Sequence, residues 1–163
     1  MKPAEATLPS ETEVLVKRSF DAPAKLVWRA YVEPELMCRW CGGYPGWSMP
    51  VCEMDMRVGG TYEWRWRNDL DGMEFGFNGE VLEVVPHERI VHTQVFDPGN
   101  MGISMGGEPS IITVTFDEAE GVTNVATNIK YASQADRDAA LETGMTDGME
   151  MNYKKLDEIL TEI

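Results

Sequence analysis

The chain has 163 residues, enough for one domain with room for an internal pocket and too few for a second full domain. Its formal net charge of -14, from 28 acidic and 14 basic residues, repels phosphate backbones and anionic lipids, so no nucleic acid partner is expected. No run approaches the roughly 18 apolar residues that a membrane span needs, and residues 1–12 lack the apolar core of a signal peptide. These features predict a cytoplasmic protein that does not bind membranes.

Residues 1–11 mix prolines with charged side chains without periodicity, which predicts a loose leader before a single domain over residues 12–163. Residues 12–20 follow a strand-like pattern that ends at Phe20. Asp21 and Pro23 are typical of a helix start, and this first helix is expected to run to about Val32. Pro34 then suits the first turn of a second short helix through Trp40.

Three cysteines, Cys38, Cys41 and Cys52, are an odd number in a chain long enough to fold without disulfides. We therefore expect free thiols in a reducing compartment. Cys38 and Cys41 have the spacing of a redox or zinc pair, but the sequence has no second pair and no histidine cluster to complete four zinc ligands. The sequence also lacks the common nucleotide-binding, hydrolase and zinc-protease motifs. It predicts neither a metal site nor a cofactor.

From Ser48 onward the chain has the pattern of six strands with short connections, which imply antiparallel neighbours. The predicted strands cover residues 48–56, 60–68, 73–85, 89–96, 110–117 and 122–132. A loop rich in glycine and methionine, residues 97–109, separates the fourth and fifth of them, and its length fits either a lid or a disordered segment. After a capping pattern at Ser133, apolar residues recur every three or four positions to Ile163, which predicts one long helix.

This order of elements, and several local segments, resemble the START-like superfamily, in particular its branch of Hsp90 ATPase activator homologues. Residues 21–23 with Val27 and Trp28 resemble the first helix opening of that family, and residues 34–42 resemble its second helix. Residues 53–62, with the double glycine at 59–60, are similar to a strand and turn of the family, and residues 79–91 to its central hairpin. Cys41 and Met149 depart from the aromatic residues that the family often has there.

The resemblance implies an α+β helix-grip fold, in which an antiparallel sheet of six to seven strands wraps around a long C-terminal helix. Two short helices would follow the first strand. It also implies a deep cavity between sheet and helix, which the superfamily uses for lipids, polyketides, hormones and other apolar molecules. The fold hosts binding proteins, enzymes and co-chaperones, so function has to be argued from the site.

Alternating aromatic residues on two neighbouring strands suggest the lining of that cavity. Residues 62, 64 and 66 are aromatic on one strand, and residues 75 and 77 on the next, so antiparallel pairing would bring the two aromatic faces together. Packed core and pocket lining explain this pattern equally well, whereas methionines at helical spacing are more often core. By analogy with the family, His92 and Gln94 face the cavity. The candidate ligand-binding residues are Trp40, Tyr62, Trp64, Trp66, Phe75, Phe77, His92, Gln94, Met145, Met149 and Tyr153.

The leading hypothesis is a protein that binds a small hydrophobic or aromatic molecule without transforming it. The alternative is an enzyme of the same fold, a cyclase, dehydratase or hydrolase that uses His92 with a carboxylate or arginine as acid and base. A second alternative, stimulation of the Hsp90 ATPase, rests on the family resemblance alone. The sequence is compatible with a monomer or a homodimer.

Overall fold

The computed structural model describes residues 2–42, 45–100 and 108–163. Eight strands form one antiparallel sheet, in the spatial order β1-β2-β8-β7-β6-β5-β4-β3. The strands are β1 (Glu5–Thr7), β2 (Glu13–Phe20), β3 (Trp47–Met54), β4 (Thr61–Asn68), β5 (Glu74–Val85), β6 (Arg89–Asp97), β7 (Ser110–Ala119) and β8 (Val122–Lys130). The helices are α1 (Ala24–Val32), α2 (Pro34–Cys41), α3 (Gln134–Glu142) and α4 (Met145–Leu160). The prediction of an α+β helix-grip fold is confirmed.

The sheet has one strand more than the upper count predicted from the sequence. The additional strand is β1, which lies within the segment predicted to be a loose leader. Its residues pair with Leu15, Val16 and Lys17 of β2 at one edge of the sheet. All three β1 residues are exposed, so they give no apolar alternation by which the sequence could have revealed a strand.

The start of α1 differs from the sequence prediction. The residue before the helix is Pro23, which makes no side-chain capping bond, and Asp21 does not cap the helix. Instead, the backbone N–H of Ala24 donates a hydrogen bond of 2.6 Å to the carboxylate of Glu118 at the end of β7. A long-range carboxylate therefore supplies the acceptor that the sequence assigned to a local one.

The helix predicted to start after Ser133 is divided into two helices. Ser133 does cap α3, because its hydroxyl accepts a hydrogen bond from the backbone N–H of Asp136. Gly144, however, has φ +79°, a left-handed conformation that cannot continue an α-helix. Leu141 therefore belongs to α3, the apolar residues from Met145 to Leu160 belong to α4, the long C-terminal helix, and Ile163 follows the end of α4.

The helices cover one end of the concave face of the sheet with a packed cluster of aromatic rings. Phe116 of β7 contacts Trp28 and Tyr31 of α1, with ring centroids 5.3 Å and 5.2 Å apart. Tyr153 of α4 meets Phe20 of β2 edge-on at 5.6 Å. All of these side chains are buried, so this end of the molecule is an ordinary hydrophobic core.

A buried ion-pair network joins the sheet to α4. The side chain of Arg18 on β2 is 1% exposed, and it forms ion pairs with Glu150 at 3.2 Å and with Asp157 at 2.7 Å. Its guanidinium also lies 5.0 Å from the centroid of the Phe20 ring. Burial by itself lowers the pKa of Arg18, but the hydrogen bonds that its guanidinium donates to the two carboxylates raise the pKa by more, so the charge is retained. Glu150 in turn accepts the backbone N–H of Ala4, next to β1.

We expect Arg18→Met to lower the free energy of unfolding by about 3 kcal/mol, because it leaves two partly buried carboxylates without their cation. Urea unfolding at pH 7 measures the change. Arg29→Met is the matched control, since its ion pair with Glu33 is about half exposed and should contribute far less.

Comparison of the wild type with Arg18→Met at acid pH gives a second test. The pKa of Glu150 is lowered, because its hydrogen bonds to Arg18 and Ala4 outweigh the opposing effect of burial. Its contribution is present above the ordinary value of 4.5 and is lost as the pH falls through the lowered value. The stability difference between wild type and Arg18→Met should therefore shrink below about pH 4. Equal stability of the two proteins at pH 7 would contradict the assigned role of Arg18.

Cys38 and Cys52 form a disulfide that ties α2 to the edge strand β3, with their Cα atoms 6.3 Å apart. The prediction of three free thiols is wrong, because α2 folds back beside β3 and brings together two cysteines 14 positions apart. Cys41 is the free cysteine, and its burial raises the pKa of the thiol well above the ordinary value. Among the described residues, no helix is long and apolar enough to cross a membrane. The cytoplasmic location stays a prediction, now without the support of free thiols.

Thiol counting tests the disulfide directly. Protein purified without reductant, unfolded in guanidinium and treated with iodoacetamide, should gain one alkyl group by mass and gain three after reduction. In Cys41→Ser the count without reductant should fall to zero. Three alkyl groups without reductant would show that the disulfide is absent. Reduction should also lower the free energy of unfolding by about 3 kcal/mol, because it removes a crosslink over a short loop.

Candidate ligand-binding site

The other end of the concave face carries a continuous set of half-buried aromatic rings. In the register of β4 and β5, Trp64 lies opposite Phe77 and Trp66 opposite Phe75, and Phe96 of β6 lies opposite Phe77. The rings of Trp66 and Phe75 are stacked at 5.4 Å, and those of Phe77 and Phe96 are 5.4 Å apart. We call these five residues the aromatic wall. Cross-strand pairing therefore assembles one aromatic surface from three strands.

The aromatic wall differs from the packed core in its exposure. All five of its side chains are half-buried, whereas Phe20, Trp28 and Phe116 at the opposite end are buried. Large aromatic side chains gain most when they are fully removed from water, so a half-buried set indicates a surface suited to another apolar group. From the sequence, packed core and pocket lining explained the aromatic pattern equally well. In the structure the rings at one end of the concave face are buried as in a core, whereas those of the aromatic wall are only half-buried.

Helix α2 fixes one end of the wall. The indole N–H of Trp66 donates a hydrogen bond of 3.0 Å to the carbonyl oxygen of Cys41, the last residue of that helix. Trp47, at the start of β3, meets Phe75 edge-on at 5.7 Å. The disulfide at Cys38 holds the same helix against β3. The position of α2 therefore sets the position of Trp66.

A polar cluster lies on the same face, one step along the strands from the wall. The hydroxyl of Tyr62 donates to the carbonyl oxygen of Thr93 at 2.5 Å and lies 3.0 Å from Nδ1 of His92. Tyr62 reaches β6 because Gly79 stands opposite it on β5, where a Cβ would meet the Thr93 carbonyl and the Tyr62 hydroxyl. Gln94 Oε1 lies 3.5 Å from the Tyr62 hydroxyl. Tyr62 and His92 are buried, and Gln94 is half-buried.

These contacts define the protonation of His92. Because the Tyr62 proton goes to the Thr93 carbonyl, Nδ1 of His92 carries its own proton and donates it to the Tyr62 and Thr93 oxygens. Burial lowers the pKa of His92, so the ring is neutral at pH 7 with its Nε2 lone pair unprotonated. Burial also raises the pKa of Tyr62, which stays a hydrogen-bond donor. Neither residue contacts a carboxylate in the described part of the chain.

The remaining sequence-predicted residues divide between the two ends. Met145 and Met149 of α4 are half-buried and pack against the core, and the sulfur of Met145 accepts a hydrogen bond of 3.4 Å from Tyr131. Trp40 and Tyr153 are buried, and their rings are stacked at 6.3 Å within the packed aromatic cluster. The structure therefore groups seven of the eleven predicted residues in the wall and the polar cluster, places Trp40 and Tyr153 in the packed core, and packs Met145 and Met149 against that core.

Sequence reasoning missed two aromatic residues at the site. Phe96 has the same strand parity as His92 and Gln94, so extending the alternation by one step would have found it. Trp47 had no comparable signal, because it lies at the start of β3, before a register shift between Ser48 and Val51.

Two hollows formed by the described residues lie away from the wall. One is at the end of α4, at Asp21, Asp157 and Leu160, and another is on the outer face of β2, β7 and β8. The cavity between sheet and helix therefore stays a prediction. No group of three or more metal-ligating side chains lies together in the described ranges.

Comparison with known families shows to which family the chain belongs. Residues 21–161 match the model of the family described as "Activator of Hsp90 ATPase homolog 1-like protein". The chain belongs to this family. The matched range runs from the residues before α1 to the end of α4, so it includes the aromatic wall and the polar cluster.

Solved structures support the same fold. A Rhodobacter sphaeroides protein is 26% identical, with a TM-score of 0.88 over 99% of this chain and 100% of its own. A Mycobacterium smegmatis protein is 21% identical, with a TM-score of 0.85 over 97% of each chain. An Arthrobacter aurescens protein is 20% identical, with a TM-score of 0.82 over 98% of this chain and 92% of its own. No curated protein matches the chain.

The buried environment of His92 gives a prediction about pH. We expect its imidazole to titrate below the ordinary value of 6.5, because charging the ring inside the protein costs desolvation energy. The contribution of neutral His92 to the free energy of unfolding is fully present above the pKa that the residue has in the unfolded chain. It is lost as the pH falls through the lower pKa of the folded protein. An NMR titration, with His92→Gln to assign the resonance, measures this pKa. A value at or above 6.5 would show that the ring is solvated.

Proposed function

We propose that the protein binds a small apolar or aromatic molecule against the aromatic wall, in a space bounded by the sheet and the C-terminal helix, and that it does so in the cytoplasm. The half-buried state of all five wall side chains is the observation that carries this proposal. Ligand sites are typically apolar surfaces with a few polar groups at fixed positions. Half-buried Met54, Met145 and Met149 would add adaptable surface to such a site.

The polar cluster supports the proposal through the orientation that it would give to a ligand. Tyr62, His92 and Gln94 hold one another by hydrogen bonds and lie beside the aromatic rings, with the Tyr62 and Trp64 ring centroids 4.4 Å apart. A ligand with an apolar body and one polar end could therefore contact the aromatic wall with its body and the polar cluster with its polar end. Fixed polar groups of this kind contribute selectivity more than affinity.

An enzyme of the same fold is the alternative, and the shifted pKa values of His92 and Tyr62 are the observation in its favour. A neutral imidazole can act as a base, but a general base also needs an orienting partner and a reacting proton within hydrogen-bond reach. The partners of His92 Nδ1 are a phenol and a backbone carbonyl, which hold the ring in place. Because these partners orient the ring but carry no charge that would stabilise a protonated imidazole, the geometry favours binding over catalysis.

Binding can be tested with N-phenyl-1-naphthylamine, a neutral aromatic probe whose fluorescence rises in apolar surroundings. We expect saturable binding to the wild type. Phe77→Asp should weaken binding at least about tenfold, because it places a charge that has no partner in the centre of the wall. Leu70→Asp is the matched control, since Leu70 is 95% exposed in the turn between β4 and β5 and the change in net charge is the same.

The proposal would be contradicted if the wild type showed no saturable probe binding, or if Phe77→Asp bound the probe as tightly as the wild type. Circular dichroism of each variant checks that the fold is intact. Native mass spectrometry of the protein as purified adds an independent observation, because a bound molecule appears as an adduct that is lost on denaturation. A bound molecule that changes mass during incubation with the protein would support the enzyme alternative.

A further inference from the structure

The indole nitrogen of Trp64 is a hydrogen-bond donor that the described part of the chain leaves unsatisfied. Trp64 Nε1 is buried, and it is the one buried side-chain nitrogen or oxygen in the described ranges without a hydrogen-bond partner. Buried donors in proteins are nearly always paired, since an unpaired one costs about 1–3 kcal/mol. Such a donor therefore needs an explanation.

Other tryptophans show that this chain can satisfy a buried indole. The N–H of Trp40 donates to the carbonyl oxygen of Ala30 at 2.8 Å, and the N–H of Trp66 donates to Cys41 at 3.0 Å. Both acceptors belong to the helices that cover the concave face. Trp64 lies on the same strand as Trp66, two residues earlier, at the end of the aromatic wall that adjoins Tyr62 of the polar cluster. Its free donor thus lies where a ligand would have both apolar and polar contacts.

The surroundings favour a neutral acceptor over a negatively charged one. The buried cation on this face, Arg18, already binds the carboxylates of Glu150 and Asp157. His92 is neutral at pH 7, as argued above, and the chain has a net charge of -14. A carboxylate or phosphate brought to Trp64 would lose its hydration, because both buried arginines of the described ranges already have carboxylate partners. An uncharged oxygen would lose far less.

We propose that Trp64 selects, among aromatic ligands, those with an uncharged acceptor oxygen such as a ketone, and that its indole N–H donates the hydrogen bond to this oxygen. This inference rests on the proposed function and identifies the chemical class of its ligand. The ligand oxygen removes the cost of the unpaired donor, so the polar contact adds to affinity as well as to selectivity.

Three naphthalene compounds test the inference. 2-Acetylnaphthalene presents a ketone, 2-isopropenylnaphthalene has the same shape with a CH₂ group in place of the oxygen, and 2-naphthoate presents a carboxylate. Titration calorimetry should show the ketone binding about tenfold tighter than the hydrocarbon, with the carboxylate weakest. Trp64→Phe keeps an aromatic ring but removes the N–H, so its affinities for the ketone and the hydrocarbon should become equal. Trp28→Phe, the same change in the packed core, should keep the tenfold preference.

NMR of the labelled wild type gives a readout that does not depend on a variant binding normally. The indole N–H resonance that is missing in Trp64→Phe belongs to Trp64. It should move downfield when the ketone is added and should stay near its position with the hydrocarbon.

The outcomes of these titrations distinguish failure of the Trp64 inference from failure of the proposed function. Equal affinity of the wild type for ketone and hydrocarbon, a preference that survives in Trp64→Phe, or tightest binding of the carboxylate would each overturn the role of Trp64 while leaving aromatic binding intact. No binding of either neutral compound would overturn the proposed function and this inference with it.

Discussion

The buried guanidinium of Arg18 is the interaction on which the arrangement of sheet and helix depends. It joins β2 to two positions of α4, and Glu150 extends the connection to Ala4 beside the edge strand. A buried charge stabilises only when its partners are held in good geometry, so the network also fixes how α4 lies on the sheet. The position of α4 in turn determines which part of the concave face is covered and which part stays accessible.

The concave face is consequently divided into two aromatic regions with different physical roles. At the covered end, Phe20 and Phe116 contact rings from α1 and α4 and are buried. At the other end, Trp66 stacks on Phe75 and meets Phe77 edge-on across neighbouring strands. The same type of side chain is thus buried in one region and half-buried in the other, depending on what packs above it.

The disulfide and the aromatic wall are connected through α2. Cys38 binds this helix covalently to β3, and the last carbonyl of the helix accepts the Trp66 indole proton. The family assignment covers all of these elements, whereas similarity to solved structures at 20–26% identity supports the fold and no particular ligand. The chemistry of the site is therefore argued from this chain's own residues.

Sequence patterns predicted the order of β2 to β8 with two helices after β2, the shared face of residues 62–66 and 75–77, and the resemblance to the family, because strand alternation and local turn motifs are properties of short segments. These patterns could not reveal β1, the break at Gly144 or the Cys38–Cys52 bond, since each depends on where distant segments lie. The tertiary structure also decided the difference between core and wall. Trp40 and Trp64 have the same side chain, but the indole of Trp40 meets a helix carbonyl and that of Trp64 does not, because burial and hydrogen bonding are fixed only when elements pack together.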